Sequence, residues 1–187
     1  MGDTAAEAIA ELTARGETVG LCESLTAGLA SATLAGVPGA SATLRGAMVT
    51  YATDCKVALA GVPQAVIDDY GPVSPITAQE MAKAARRKLN ADWGISLTGV
   101  AGPSEQDGHP VGEVWIGLAC KNGCSATLAG DILTDAPLVR GSVPGSTQPR
   151  NLLHGERNEV RVWAVEAALR ALLRALREQN DVDGSYS

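Results

Sequence analysis

Hydrophobic positions along this chain follow two spacings, and the change between them predicts a layered α/β fold. Short apolar runs bounded by glycine, proline or polar residues are typical of strands, whereas apolar residues three and four positions apart indicate amphipathic helices. The runs predict strands over residues 18–22, 42–51, 93–98 and 112–120, with a further strand within 125–133. The helical spacing predicts helices over residues 3–15, from the turn after 24 to about 36, through 56–59, through 66–67, over 74–89 and over 156–177. Alternating strands and helices predict one three-layer α/β/α domain with a central mixed sheet, spanning residues 1–178.

Some details of these elements can be predicted as well. Ser74 followed by Pro75 is a helix-start signal, because serine caps the first turn and proline fits its first position. The expected inward face of the first helix comprises Ala6, Ile9, Ala10, Leu12 and Thr13. Residues 135–155 are rich in Pro, Gly, Ser and Thr and have no clear period, so we expect an irregular segment that forms a mobile flap or an insertion. Residues 179–187 are expected to form a flexible tail.

Composition and charge narrow the classes of function. The 187 residues carry a formal net charge of −6, include no Phe and are only 3% aromatic. Nucleic-acid binding needs a basic footprint and often aromatic stacking platforms, so we expect no nucleic-acid partner. No apolar run is long enough to span a bilayer, which predicts a cytoplasmic protein without a membrane partner.

The cysteines and histidines do not show the spacing of a metal site. The chain has two histidines, which lie far apart in sequence, and four cysteines without paired spacing, namely Cys22, Cys55, Cys120 and Cys124. We therefore expect free thiols, no disulfide framework and no structural metal.

A turn around Ser24 organises the first half of the chain. The apolar run before it and the Ala/Leu-rich segment after it indicate a strand-to-helix turn, where backbone N–H groups favour negative charge. A serine hydroxyl at this place can attack a carbonyl whose developing oxyanion the N–H groups receive. The alternative is that Ser24 and Thr26 only cap a helix, and this stretch alone favours that interpretation.

A second candidate group lies after the strand that ends at Tyr51. If Lys56 points toward Ser24, its neutral amine can take the serine proton, and Tyr51 can orient or relay that proton. The alternative places Lys56 on the surface and Tyr51 at a sheet edge, which is the more frequent situation for these residue types.

Several blocks of sequence resemble one known family. They include Glu-Ser-Leu-Thr-Ala-Gly at 23–28, Val-Pro-Gly-Ala-Ser at 37–41, Val-Thr-Tyr-Ala-Thr-Asp-Cys-Lys at 49–56, Gly-Pro-Val-Ser at 71–74, Thr-Gly-Val-Ala-Gly-Pro at 98–103, Pro-Val-Gly at 110–112 and Gly-Glu-Arg-Asn-Glu-Val-Arg at 155–161. In this order the chain resembles the carboxyl-terminal domain of the competence-damage inducible protein CinA and the related nicotinamide mononucleotide deamidases. The resemblance covers nearly the whole chain.

The resemblance implies a hydrolase that converts the carboxamide of nicotinamide mononucleotide to nicotinic acid mononucleotide and ammonia. It implies that neither a metal nor a cofactor takes part, and that the chain forms a homo-oligomer. Ser24 would be the nucleophile, Lys56 the general base and Tyr51 its partner. Backbone N–H groups around Leu25 and Thr26 would form the oxyanion hole.

The nucleotide substrate would be held by residues of the same blocks. The residues chosen on this basis are Gly28, Ser41, Arg45, Thr98, Gly99, Gly102 and Arg157. An arginine and helix-terminal amides would bind the phosphate.

The chain also departs from the family pattern. Leu25 replaces the usual cysteine, Ala27 the first of two glycines, Thr53 a common asparagine and Glu156 an aspartate. The segment before Gly155 is longer than in typical relatives, and it would cover the pocket or serve an oligomer contact. These departures leave a second hypothesis open, a catalytically weak paralogue that binds a nucleotide or a protein.

Overall fold

Five strands form a central mixed sheet in the computed structural model, which describes the backbone of residues 2–183 and the side chains of residues 2–179. The strands are β1 (Val19–Glu23), β2 (Leu44–Val49), β3 (Trp93–Gly99), β4 (Val114–Cys120) and β5 (Gly123–Leu128). Their order is β2-β1-β3-β4-β5. The first three run parallel, and β4 and β5 are antiparallel to their neighbours. The predicted mixed sheet is confirmed.

Helices cover both faces of the sheet and confirm the predicted three layers. They are α1 (Gly2–Arg15), α2 (Leu29–Ala35), α3 (Thr53–Cys55), α4 (Gln64–Tyr70), α5 (Pro75–Lys88), α6 (Ala129–Ile132) and α7 (Arg157–Asp183), with a 3₁₀ turn at Ala40–Ala42 and a π-helical turn at Lys56–Ala60. Helix α5 packs on one face, and α1, α2 and α7 lie on the other. Ser74 caps α5 by accepting a hydrogen bond from the Thr77 N–H, as its sequence signal predicts.

The inward face of α1 differs from the predicted one. The buried residues are Ala5, Ala8, Ile9 and Leu12, which have the i, i+3, i+4, i+7 spacing of one helical face. Ala6, Ala10 and Thr13 are exposed. Alanines occur on both sides of this helix, so residue type alone does not distinguish the two faces; packing against α7 does.

The chain after β4 also differs from the prediction. The strand expected within residues 125–133 is β5, which begins earlier, at Gly123, and ends at Leu128, and the rest of that range contains α6. The alternation of exposed and partly buried residues in β5 stops at Leu128, where three consecutive buried residues begin. The two-residue period of β5 therefore ends at Leu128, inside the range 125–133 in which a strand was expected.

The segment predicted to be irregular contains an antiparallel ribbon. Strands β6 (Leu138–Gly141) and β7 (Arg150–Leu153) pair along their whole length. Leu152 and Leu153 are buried, and Arg150 forms an ion pair with Asp131 of α6. Four-residue strands are too short to show a period, which is why the sequence pattern did not reveal them.

The last helix continues beyond its predicted end. It runs to Asp183 rather than ending near residue 177. Part of the predicted flexible tail is therefore helical in its backbone, and residues 184–187 lie outside the described residues.

The parallel arrangement of β1, β2 and β3 positions the candidate site. Parallel strands place their carboxyl ends at the same edge of a sheet, where ligands gather in α/β folds. The residues that follow these ends, Ser24, Thr50 and Val100, therefore lie at one edge.

Candidate active site

Ser24 and Lys56 lie in direct contact, as the sequence hypothesis requires. The Lys56 Nζ atom is 3.0 Å from the Ser24 Oγ atom. Ser24 follows the interior strand β1, which lies between β2 and β3, and its N–H donates to the Leu97 carbonyl of β3. Lys56 begins the π-helical turn that follows β2, and its Nζ donates to the Thr50 carbonyl at 3.2 Å. The interpretation of Lys56 as a surface residue is therefore wrong.

Burial sets the protonation of the lysine. Lys56 is only 2% exposed, and desolvation of its ammonium form lowers its pKa below the ordinary value. The neighbouring Cys22 is also buried, and burial raises the pKa of its thiol to about 11, so it stays protonated at neutral pH. A neutral lysine amine can donate to Thr50 and accept the proton of Ser24 through its lone pair.

The turn after Ser24 is held by a buried carboxylate that sequence reasoning missed. Glu23 is completely buried, and its two oxygens accept hydrogen bonds from the N–H groups of Gly28, Ala30 and Ser31 at 2.9–3.0 Å. The first turn of α2 is thus already occupied by a negative charge. These three N–H groups are therefore not free for a substrate phosphate, and Gly28, at φ 95°, belongs to this turn rather than to the cavity lining.

The amides that remain at this turn belong to the next two residues. The N–H groups of Leu25 and Thr26 have no backbone partner among the described residues. The carbonyls of the same two residues accept hydrogen bonds from Arg161 of α7, at 3.1 Å and 2.7 Å. Arg161 is 135 positions further along the chain than Thr26, so only its place in the 155–161 block signals its importance.

A small cavity of about 120 Å³ opens beside Ser24 and Lys56. The residues predicted for the site that line it are Ser24, Leu25, Tyr51, Lys56, Thr98, Gly99, Gly102 and Arg157. The Thr98 hydroxyl donates to the Pro72 carbonyl at 2.7 Å and so joins β3 to the segment before α5. Ser104 and Gln106 also line the cavity, and sequence reasoning missed them. Their only signal is their position in the loop after Gly102.

Tyr51 has a different partner from the one expected. Its hydroxyl lies 2.5 Å from Arg157 Nη2, and Arg157 Nη1 donates to the Gly102 carbonyl. Tyr51 is 53% exposed and makes no hydrogen bond with Ser24 or Lys56. Lys56 forms its hydrogen bonds with Ser24 and Thr50, and the Tyr51 phenol is bonded to Arg157 instead of to the lysine.

Two of the predicted nucleotide-binding residues lie away from the cavity. Ser41 is exposed in the 3₁₀ turn before β2, and Arg45, near the start of β2, donates to the Leu89 carbonyl. Both precede or begin a parallel strand and therefore lie toward the opposite edge of the sheet from Ser24. Within one copy of the chain, neither residue lines the cavity.

Other depressions on the surface are larger but lack the reactive pair. Two of about 640 and 810 Å³ lie beside the carboxyl-terminal part of α7. Neither is lined by Ser24 or Lys56. The ribbon of β6 and β7 contributes no residue to the cavity beside Ser24, so it does not cover that cavity.

The described residues show neither a metal-binding cluster nor a helix that could span a membrane. Among the side chains of residues 2–179, no group of three or more His, Cys, Asp or Glu is arranged to hold a metal ion. No described helix combines the length and the apolar character needed to cross a bilayer. The four cysteines are free thiols.

The fold and the site together define a class of protein: a three-layer α/β domain with a serine and a buried lysine in contact at the carboxyl ends of its parallel strands. Comparison with known proteins gives the family. The family model of the CinA C-terminal domain matches residues 2–133, and the chain belongs to this family.

Similar proteins agree with this assignment. A competence-damage inducible protein of Streptococcus pneumoniae is 49% identical over 115 residues, which are 62% of this chain and 28% of the relative. A Limosilactobacillus reuteri protein of the same name is 47% identical over 120 residues, 64% of this chain and 29% of the relative. The chain thus spans less than a third of the length of these curated relatives.

Solved structures match over almost the whole chain. The competence/damage inducible protein CihA of Agrobacterium tumefaciens superposes with a TM-score of 0.75 at 28% identity, covering 94% of both chains. The competence damage-inducible protein A of Klebsiella pneumoniae superposes with a TM-score of 0.80 at 25% identity, covering 94% of this chain and 96% of that one.

Proposed function

We propose that this chain is an amidohydrolase that deamidates nicotinamide mononucleotide to nicotinic acid mononucleotide and ammonia. The contact between Lys56 Nζ and Ser24 Oγ is the observation that carries the proposal. A serine nucleophile paired with a buried lysine of lowered pKa is the arrangement that amide hydrolysis by a Ser–Lys pair requires.

The proposed reaction has two halves that share one base. Lys56 takes the Ser24 proton as the serine oxygen attacks the carboxamide carbon, and the carbonyl oxygen becomes an oxyanion near the Leu25 and Thr26 N–H groups. The C–N bond then breaks, the Lys56 ammonium gives its proton to the leaving nitrogen, and ammonia departs. Water attacks the resulting ester with Lys56 again as base, which releases the carboxylic acid and restores Ser24.

The substrate assignment rests on the family resemblance together with the size and charge of the cavity. A volume of about 120 Å³ is well below the roughly 300 Å³ at which pockets for drug-sized ligands begin, so it suits the reacting end of a molecule. A nicotinamide ring would enter, and the ribose phosphate would extend past Arg157, whose guanidinium is suited to an anion. A small-molecule nucleotide is the proposed partner, and the homo-oligomer stays a prediction.

A second candidate is a catalytically weak paralogue that binds a nucleotide or a protein. The substitutions at Leu25 and Thr53 favour it, because both residues line the cavity. Ala27 favours it too, because this exposed residue has a φ of 50°, a conformation that suits glycine better.

Ammonia release from nicotinamide mononucleotide by the purified full chain tests the proposal. Ser24→Ala and Lys56→Ala should each lower kcat by about a thousandfold or more. Ser125→Ala and Lys83→Ala are matched controls on the exposed surface, and they should leave the rate unchanged. If the unsubstituted chain turns over no faster than the two site variants but still binds the nucleotide in calorimetry, the binding module is the correct function.

A further inference from the structure

Arg161 forms hydrogen bonds with the backbone of the nucleophile turn, the residues that directly follow Ser24. Its Nε donates to the Leu25 carbonyl and its Nη2 to the Thr26 carbonyl, and its Nη1 donates to the Asn158 side chain at 2.9 Å. All three guanidinium nitrogens are therefore engaged. Leu25 lines the cavity, whereas Arg161 and Thr26 do not.

The contact with Leu25 fixes the direction of an amide. A trans peptide unit is planar, and its C=O and N–H bonds point in opposite directions. The only cis peptide among the described residues is Gly102-Pro103, so the unit joining Leu25 to Thr26 is trans. Because the Leu25 carbonyl points at Arg161, the Thr26 N–H points away from Arg161, and this N–H has no backbone partner among the described residues.

The same contact strengthens this N–H as a donor. A cation bound to a carbonyl oxygen draws electron density through the amide and polarises the N–H of the same peptide unit, as in a cooperative hydrogen-bond chain. A carboxylate or a neutral residue behind the turn would not have this effect. The fork of an arginine also reaches two adjacent carbonyls at once, whereas a lysine has a single ammonium group.

We propose that Arg161 is a positioning residue that aims and polarises the Thr26 amide as an oxyanion donor for Ser24. This inference rests on the proposed amidohydrolase function. Arg157, one helical turn earlier on α7, contacts Tyr51 and the Gly102 carbonyl instead. The two arginines therefore have different roles. Arg157 lines the cavity, whereas Arg161 contacts the backbone of the turn that follows Ser24.

Arg161→Met tests the inference because methionine keeps much of the side-chain length without the donors. We expect kcat to fall by about a hundredfold, the effect of losing one oxyanion donor, with KM within about twofold of the original. Arg174→Met, which removes an exposed ion pair with Glu178 on the same helix, is the control and should leave both values unchanged. An unchanged kcat in folded Arg161→Met would overturn the inference.

A tetrahedral mimic distinguishes positioning from general support of the fold. 3-Pyridylboronic acid adds to a reactive serine and carries an oxygen at the oxyanion position. Its affinity should fall with kcat in Arg161→Met, whereas the affinity for the product nucleotide, measured by calorimetry, should stay the same. Equal loss of both affinities would indicate a structural role and overturn the inference. If Arg161→Met does not fold, Arg161→Lys serves the same comparison with a smaller expected loss.

The boronate also separates this inference from the substrate assignment. If the unsubstituted chain releases no ammonia from the nucleotide but binds the boronate more tightly than Arg161→Met does, the substrate assignment fails and the role of Arg161 stands. If ammonia is released and the boronate binds both chains equally, the substrate assignment stands and the role of Arg161 fails.

Discussion

The amine of Lys56 reaches the hydroxyl of Ser24 at 3.0 Å across 32 positions of sequence. The two side chains come from different strand ends: Ser24 follows β1, and Lys56 starts the π-helical turn after β2. Single π-helical turns occur often at functional sites, because they shift a side chain relative to an ordinary α-helix. Here the turn directs a charged residue type into the protein rather than toward solvent.

The pH dependence of the reaction follows from the burial of Lys56. Only the neutral amine can take the Ser24 proton, and the fraction of neutral amine rises with pH. Since burial lowers the Lys56 pKa below its ordinary 10.5, kcat/KM should rise with pH and level off before the ordinary lysine range. A pH–rate profile of ammonia release measures this. The exposed-lysine variant Lys83→Met should give the same profile, and a rate that falls as pH rises from neutrality would contradict Lys56 as the base.

The parts of the site that sequence could predict are those with a local signal. Ser24 lies where an apolar run changes into a helical pattern, and this change is visible without a structure. Tyr51 and Lys56 likewise follow a strand and belong to a block that resembles the family. Their arrival at one cavity follows from the parallel order of β1, β2 and β3, because parallel strands place their ends at one edge.

The parts that sequence could not predict depend on contacts between distant segments. Glu23 looks like an ordinary polar residue at a strand end until its carboxylate meets three amides of α2. Arg161 looks like a solvated helix residue until α7 packs behind the nucleophile turn. The partner of Tyr51 was predicted incorrectly for the same reason, since Arg157 is 106 positions away.

Glu23→Gln should destabilise the fold although it changes only one atom. In Glu23 both carboxylate oxygens accept hydrogen bonds from backbone N–H groups. Glutamine keeps one acceptor oxygen, and its NH₂ group takes the place of the other, facing N–H groups that are themselves donors. We expect the free energy of unfolding to fall by about 2–4 kcal/mol, because buried amides lose a charged acceptor. Urea denaturation measures the loss. Glu178→Gln, which breaks an exposed ion pair, should change the stability by less than about 1 kcal/mol. Equal effects of the two substitutions would contradict the capping role of Glu23.

Ala27→Gly should stabilise the chain. Ala27 is exposed and has a φ of 50°, and an L-residue in this region costs about 1–2 kcal/mol relative to the right-handed conformation. Glycine removes that penalty, but its greater backbone entropy stabilises the unfolded chain by about 0.5–1 kcal/mol. The free energy of unfolding should therefore rise by about 0.5–1 kcal/mol.

A matched substitution provides the control for Ala27→Gly. Ala32 is exposed within α2, and Ala32→Gly should destabilise the chain by about 1 kcal/mol because its backbone is helical. The two variants carry the same chemical change, so opposite shifts of the urea midpoint would identify the backbone conformation as the cause. Shifts in the same direction would contradict the strain at Ala27.

Tyr51→Phe distinguishes a role in substrate binding from a role in proton transfer. The phenol hydroxyl contacts Arg157 and not Lys56, so its removal frees the arginine at the cavity mouth without touching the base. We expect KM to rise about threefold to tenfold, the effect of one lost hydrogen bond, with kcat within about twofold of the original. Steady-state kinetics of ammonia release measure both values. Tyr70→Phe, at an exposed tyrosine of α4, is the matched control and should change neither. A hundredfold fall in kcat for Tyr51→Phe, without a fall for Tyr70→Phe, would indicate that the phenol takes part in proton transfer. A hydroxyl that acts only in substrate binding does not lower kcat to this extent.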